Sequence, residues 1–179
     1  MKIYTKIGDQ GTSRLFTGKE VPKNSPYLRA YGSVDELNSL LGVVISFLED
    51  AELREILTKL QKELFDVGAD LATPLNAKKE IKRIKEEAVL RLEKLIDHYQ
   101  EQLEPLKNFI LPGGDEAASF LQVARTVCRR AERETTDLFE EKKMNPIVFK
   151  YLNRVSDLLF VLGRVVNARK NISETIWTP

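Results

Sequence analysis

Between residues 117 and 138, seven small or apolar side chains recur at alternating intervals of four and three: Ala117, Leu121, Ala124, Cys128, Ala131, Thr135 and Leu138. That is the period of one face of an α-helix, and no strand brings those positions to one side. A second run, Leu152, Val155, Leu159, Leu162 and Val166, has the same rhythm. Small residues on the first seam let a partner helix approach closely. The chain is therefore constrained to bury long helices against one another.

Local signals place the other elements. Ser33 and Glu36 have capping-box spacing ahead of the apolar run Leu37 to Leu48, which predicts a first helix there. A second fits 51–72, stopped by Pro74, and a third fits 84–103, ahead of Pro105. The fourth opens at LPGGDEAA, where Asp115 and Glu116 set negative charge at the positive end of the helix dipole, and it runs to about 143. Asn145 and Pro146, a cap and a first-turn proline, open a fifth that reaches about 170. Residues 1–25 read as an irregular arm, extended at most over 2–5. The expected fold is all-α: a five-helix bundle with an irregular glycine-rich N-terminal arm. It forms one domain over 1–179, with the arm at 1–25, the bundle at 26–171 and a tail at 172–179.

Charge and residue counts exclude several classes. With 28 Lys and Arg against 27 Asp and Glu, the net charge is +1. No general basic surface for nucleic acid or a membrane is present, so an anion site must come from local clustering. One cysteine, Cys128, and one histidine, His98, rule out an internal disulfide and a Cys/His zinc site. A ferritin-like di-metal bundle is excluded too, because it needs Glu-x-x-His pairs and position 95 is leucine. Cys128 is expected in the core and His98 at the surface. The apolar stretch Leu40 to Leu48 is too short to span a bilayer. The opening MKIYTK lacks the apolar run of a secretory leader, so a cytoplasmic setting is expected.

Two segments carry chemistry. TKIGDQGTSRLFTG, residues 5–18, holds three glycines beside Lys6, Thr5, Thr12 and Ser13. Glycine loops let backbone amides converge on an anion, but the P-loop pattern fails here, and a flexible arm has the same composition. ARTVCRRAER holds Arg125, Arg129, Arg130 and Arg133, with Arg125 and Arg129 bordering the seam. Guanidinium forks suit phosphate, whereas charge runs are also ordinary solvated faces. Glu132 and Asp157 are candidate ligands for a divalent ion that keeps several waters. Asn153 suits either a ligand contact or an interhelical hydrogen bond.

In order along the chain, TKIGDQGTSRL, YGSVDELNSLLG, LFDVGADLATP, FILPGGDEAA, ARTVCRRAER and YLNRVSDLLFVLGR together resemble the PduO-type ATP:cob(I)alamin adenosyltransferases, corrinoid enzymes. The resemblance spans nearly the whole chain. It implies transfer of the 5′-deoxyadenosyl group of ATP to cob(I)alamin, giving adenosylcobalamin and triphosphate. It also implies Mg²⁺ and a homotrimer with ATP between subunits. A flavin-type reductase and a B12-dependent enzyme are the further partners it implies, with no nucleic acid and no membrane. Carried over, Thr5, Lys6, Ile7, Gly8, Ser13 and Lys23 resemble the arm's contacts to ATP. Arg129, Arg130, Glu132, Arg133 and Asn153 resemble the rest of the nucleotide site, with Glu132 also the expected metal ligand. Asp35 and Arg125 resemble an intersubunit ion pair on the corrinoid side. Phe109 resembles the aromatic that covers the lower face of cobalt. The competing readings are a helical protein that hydrolyses or senses ATP, which has no use for a corrinoid pocket, and a structural bundle that binds neither.

Overall fold

A computed structural model of the chain describes residues 3, 4, 6–78 and 80–178. Five long helices form the bundle: α1 (Pro26–Phe47), α2 (Ala51–Leu71), α3 (Glu86–Gln100), α4 (Glu116–Glu134) and α6 (Pro146–Arg169). The one-turn helix α5 (Thr136–Glu140) continues α4 after a break at Thr135. α4 lies between α1 and α6, α2 packs on α1, and α3 packs on α6.

The seam predicted on α4 is the centre of the core, with every member from Ala117 to Leu138 buried. Where α6 crosses it, Gly163 faces Ala118 and Gln122, and a Cβ at Gly163 would sit 2.9 Å from Gln122 Nε2. Close backbone approach therefore depends on the small residues of both helices. Caps follow the sequence signals: Asp115 accepts from Ala117 N at 2.9 Å and Asn145 from Ile147 N at 3.1 Å. Ahead of Asp115, Gly114 has φ +106° and presses on Asn167, whose Oδ1 accepts from Asp115 N and whose Nδ2 donates to Gly113 O. A side chain at Gly114 would meet that amide, so α6 fixes the turn that opens α4.

The start of α1 differs from expectation. It begins at Pro26, and Ser33 is buried in mid-helix, because Ala30, Val34, Leu37, Leu41 and Val44 continue the apolar face upstream of the capping-box pattern. Proline's fixed φ suits the first helical position, and the run of buried contacts outweighs one local cap signal. The arm also has more order than expected. A 3-10 turn (Ile7–Gln10) leads into an antiparallel hairpin of β1 (Thr12–Arg14) and β2 (Glu20–Pro22), with Ser13 opposite Val21. Leu15 and Val21 are its buried anchors. Of the extended segment expected at 2–5, Lys2 and Thr5 lie outside the described residues, and Ile3 and Tyr4 form no strand.

Two further devices brace the bundle. Asp70, buried at the end of α2, pairs with Arg83 and accepts from Ile84 N and Asn145 Nδ2 at 3.0 and 2.8 Å. Arg83 also donates to Thr73 O and Pro74 O, so one carboxylate ties α2, the chain after it and the cap of α6. At the other end, residues after α6 turn back along 109–111 through an antiparallel bridge between Ile110 and Ile176.

Removing one partner of a buried, hydrogen-bonded pair leaves an uncompensated charge. Asp70→Ala is expected to cost about 3–5 kcal/mol in denaturant unfolding. Glu86→Ala, which breaks an exposed pair with Lys150, should barely move the midpoint.

Candidate active site on the arginine helix and the arm

The four arginines of α4 divide by partner. Arg130 reaches across to α1 and pairs with Glu36 at 2.5 Å. Arg125 is half-buried, donates from Nε to Gln122 Oε1 at 2.8 Å and lies 5.9 Å from the centre of the Phe160 ring. Burial, and then the charge of Arg129, hold its guanidinium below the ordinary arginine range. Arg129 and Arg133 are exposed, and neither is paired with a carboxylate among the described residues. The helix thus presents cations that no acid neutralises.

Beside them, Asn153 Nδ2 donates to Glu132 Oε1 at 3.1 Å, linking α6 to α4. Asn153 Oδ1 in turn accepts from Arg154, which also pairs with Glu93 at 2.8 Å. Asp157 is exposed one turn further along α6 and lies 3.5 Å from Arg154. Among the described residues no group of three or more acids, histidines or cysteines is positioned to hold a metal. Glu132 has one oxygen engaged by Asn153, and Asp157 is the other carboxylate whose charge reaches Cys128. Cys128 sits beneath this face and donates from Sγ to Leu152 O at 3.2 Å. Burial, then the charges of Glu132 and Asp157, push its thiol far up, which makes it a core residue and not a nucleophile.

Arg125, Arg129, Asp157, Phe160 and Arg164 line a cavity of ≈ 480 Å³ between α3, α4 and α6, closed on one side by Leu103 to Leu106. Phe160 and Gln122 are not singled out by sequence pattern, although Asn153, Asp157, Phe160 and Arg164 share one stripe of α6 at intervals of four, three and four. Phe109 follows three residues after Leu106 and is 80% exposed, an unusual setting for so large an apolar ring.

The arm brings together a second set of cations. The Lys23 ammonium lies against Gly8, where an added Cβ would be 3.1 Å from Nζ. Lys6 adopts the left-handed conformation at the start of the 3-10 turn, and Lys23 N donates to Gly11 O at 2.9 Å. Neither lysine is paired with an acid among the described residues. Ile7 is half-exposed, Ser13 sits in β1, and Thr5 lies outside the described residues. Within one chain the turn and hairpin do not approach α4. Asp35 is also remote from the cavity: it lines a separate groove between α1 and α2 with Phe16, Tyr31, Asn38 and Phe65. No ion pair joins it to Arg125 inside the chain. The residues read as one site from sequence thus occupy distinct faces.

The fold and these faces define a helical bundle in which Arg129 and Arg133 have no acid partner among the described residues and Arg129 lines a cavity with Phe160 and aliphatic side chains. The sequence profile of cobalamin adenosyltransferases matches residues 3–166, and the chain belongs to that family. It is 43% identical over 178 residues to the corrinoid adenosyltransferase of Bacillus subtilis, covering 97% of this chain and 91% of that protein. Its identity to the human corrinoid adenosyltransferase is 41% over 182 residues, covering 98% and 73%. A solved structure of a phenylalanine-to-alanine variant of the PduO-type ATP:corrinoid adenosyltransferase from Lactobacillus reuteri, complexed with cobalamin and ATP, superposes with a TM-score of 0.95. It is 39% identical and covers 99% of this chain and 100% of that one. The chain is accordingly a transferase acting on corrinoids.

An exposed arginine without a partner contributes little to folding. Arg129→Ala is expected to leave unfolding free energy within about 0.5 kcal/mol of the parent, as measured by urea denaturation.

Proposed function

We propose that this corrinoid adenosyltransferase takes its adenosyl group from ATP, and that Arg129 and Arg133 receive the triphosphate. The observation that carries this reading is that Arg129 and Arg133, one turn apart on α4, have no acid partner among the described residues, while Arg129 also lines the cavity. By contrast, Arg130 pairs with Glu36 and Arg154 with Glu93. The solved relatives described as complexed with cobalamin and ATP support the choice of both ligands.

The electron pair that makes the new bond comes from cob(I)alamin. It attacks the ribose C5′, the C5′–O bond breaks, and the pair in that bond leaves on the triphosphate. The chain need not supply a nucleophile, which accords with its sealed thiol and single exposed histidine. Its task is to hold C5′ in line with cobalt and to set positive charge where negative charge grows. Arg129, Arg133, Lys6 and Lys23 do this, with the amides of the Gly8 turn and the hydroxyl of Ser13. Asn153 orients the Glu132 carboxylate. The free oxygen of Glu132 would help hold Mg²⁺ beside the phosphates, where the ion would neutralise phosphate charge. Phe109 provides an apolar wall against the lower face of the corrinoid, excluding a fifth ligand so that cobalt is easier to reduce.

Because the arm does not reach α4 within a chain, a site using both is assembled from two copies. A homotrimer closes that arrangement around a ring, with Arg125 of one copy answering Asp35 of the next. The exposed Val43, Phe47 and Val123, beside Phe120 stacked on Phe47 at 5.3 Å, give α1 and α4 an apolar face for this contact. No helix among the described residues is long and apolar enough to cross a membrane. The proposed setting is the cytoplasm, where a flavin-type reductase supplies the reduced corrinoid and a B12-dependent enzyme accepts the product.

The test is to incubate the protein with ATP, Mg²⁺ and chemically reduced cobalamin and follow the corrinoid spectrum. The parent should form adenosylcobalamin with triphosphate, and Arg129→Ala should lose about 10²–10³-fold in turnover. Hydrolysis of ATP without a cobalt–carbon bond, or an unimpaired Arg129→Ala enzyme, would overturn the assignment of these residues.

A further inference from the structure

Phe109 is presented to solvent from an irregular segment, yet its backbone is held on both sides. Trp177 N donates to Phe109 O at 2.8 Å, Leu111 N donates to Thr175 O at 2.8 Å, and Ile110 and Ile176 form the bridge between them. The Trp177 ring meets the Phe109 ring edge-on, with centroids 6.3 Å apart and planes at 75°. Among the described residues, the tail therefore supplies Phe109 with both its backbone partner and its aromatic neighbour.

The tail itself is fastened to α6. Arg164 is buried and grips Glu174 with both arms of its fork, Nε to Oε1 at 2.8 Å and Nη2 to Oε2 at 3.1 Å. The same Nη2 donates to Glu104 O at 2.9 Å, ahead of Phe109 in the chain. One guanidinium on a rigid helix thus anchors the segment before Phe109 and the strand that pairs with it. A planar fork holding a carboxylate at two points fixes orientation as well as distance, which a lysine would not do. Arg164 also lines the cavity shared by Arg125 and Arg129, so the latch joins the wall of that cavity to the strap.

We infer that Glu174 and Trp177, fastened by Arg164, are positioning residues that set the direction in which Phe109 is presented to the corrinoid. The inference rests on the proposed role of Phe109. An aromatic that must exclude an axial ligand is useful only while its ring stays in place, and an unsupported loop would spend much of its time elsewhere. The tail supplies this constraint without touching ATP, so its loss should separate nucleotide binding from corrinoid handling.

The experiment uses the full-length enzyme with cob(II)alamin and ATP, read by electron paramagnetic resonance for the four-coordinate signal. Calorimetric ATP binding and steady-state turnover are measured in parallel. Phe109→Ala is the reference variant and should abolish the signal. Trp177→Ala and Glu174→Gln should each reduce the four-coordinate fraction several-fold and lower kcat by about tenfold or more, with ATP affinity within about twofold of the parent. Trp177→Tyr should restore most of the signal. A full four-coordinate signal in Trp177→Ala and Glu174→Gln, with Phe109→Ala still lacking it, would overturn the inference and leave the role of Phe109 intact. An unchanged signal in Phe109→Ala would overturn that role and the inference with it. Parallel loss of ATP binding in the tail variants would also count against it, since it would indicate general loosening of the bundle.

Discussion

Close packing of α4 between α1 and α6 is the constraint on which the rest of the molecule depends. Ala117, Ala124, Cys128 and Ala131 leave little side-chain bulk on the seam, and Gly163 removes it from the facing helix. Interiors packed to this density transmit small displacements, so the side chains bordering the seam inherit its rigidity. Arg125, Arg129 and Arg133 border it. The caps and clasps at the ends of α4 and α6 serve the same purpose, since Asn167 holds the turn at Gly114 and Asn145 joins the Asp70 network.

The division of labour among the arginines follows from where their partners lie. Arg130 points toward α1 and pairs with Glu36 there, an exposed contact between helices. Arg129, one residue earlier, points away from that helix and retains its charge uncompensated. A rotation of about 100° per residue is enough to separate a paired cation from an unpaired one. Desolvation makes that availability matter: Arg125 already feels its neighbour's charge, and an incoming anion relieves the repulsion.

Much of this was readable from sequence because the signals are local. The period on α4 and α6 marks buried faces, and Asp115 and Asn145 announce their helix starts. The start of α1 was misplaced because Ser33 and Glu36 fit a cap pattern by spacing alone. The Ser25-Pro26 boundary is visible only when Ala30 and Val34 are counted with the core. The hairpin in the arm escaped notice because three-residue strands show no usable alternation. The density of arginines was legible, but which of them are free was not: Glu36 lies 94 residues from Arg130 in sequence. The Arg164–Glu174 latch depends on a chain reversal after α6, which no periodicity encodes.

The sealing of Cys128 has a bearing on durability. An exposed cysteine beside a redox-active ligand would risk mixed disulfides and sulfur oxidation. Here the lone thiol is shut inside the helix seam, donating to Leu152 O with its ionisation suppressed. The one thiol is thereby kept out of reach of a redox-active guest.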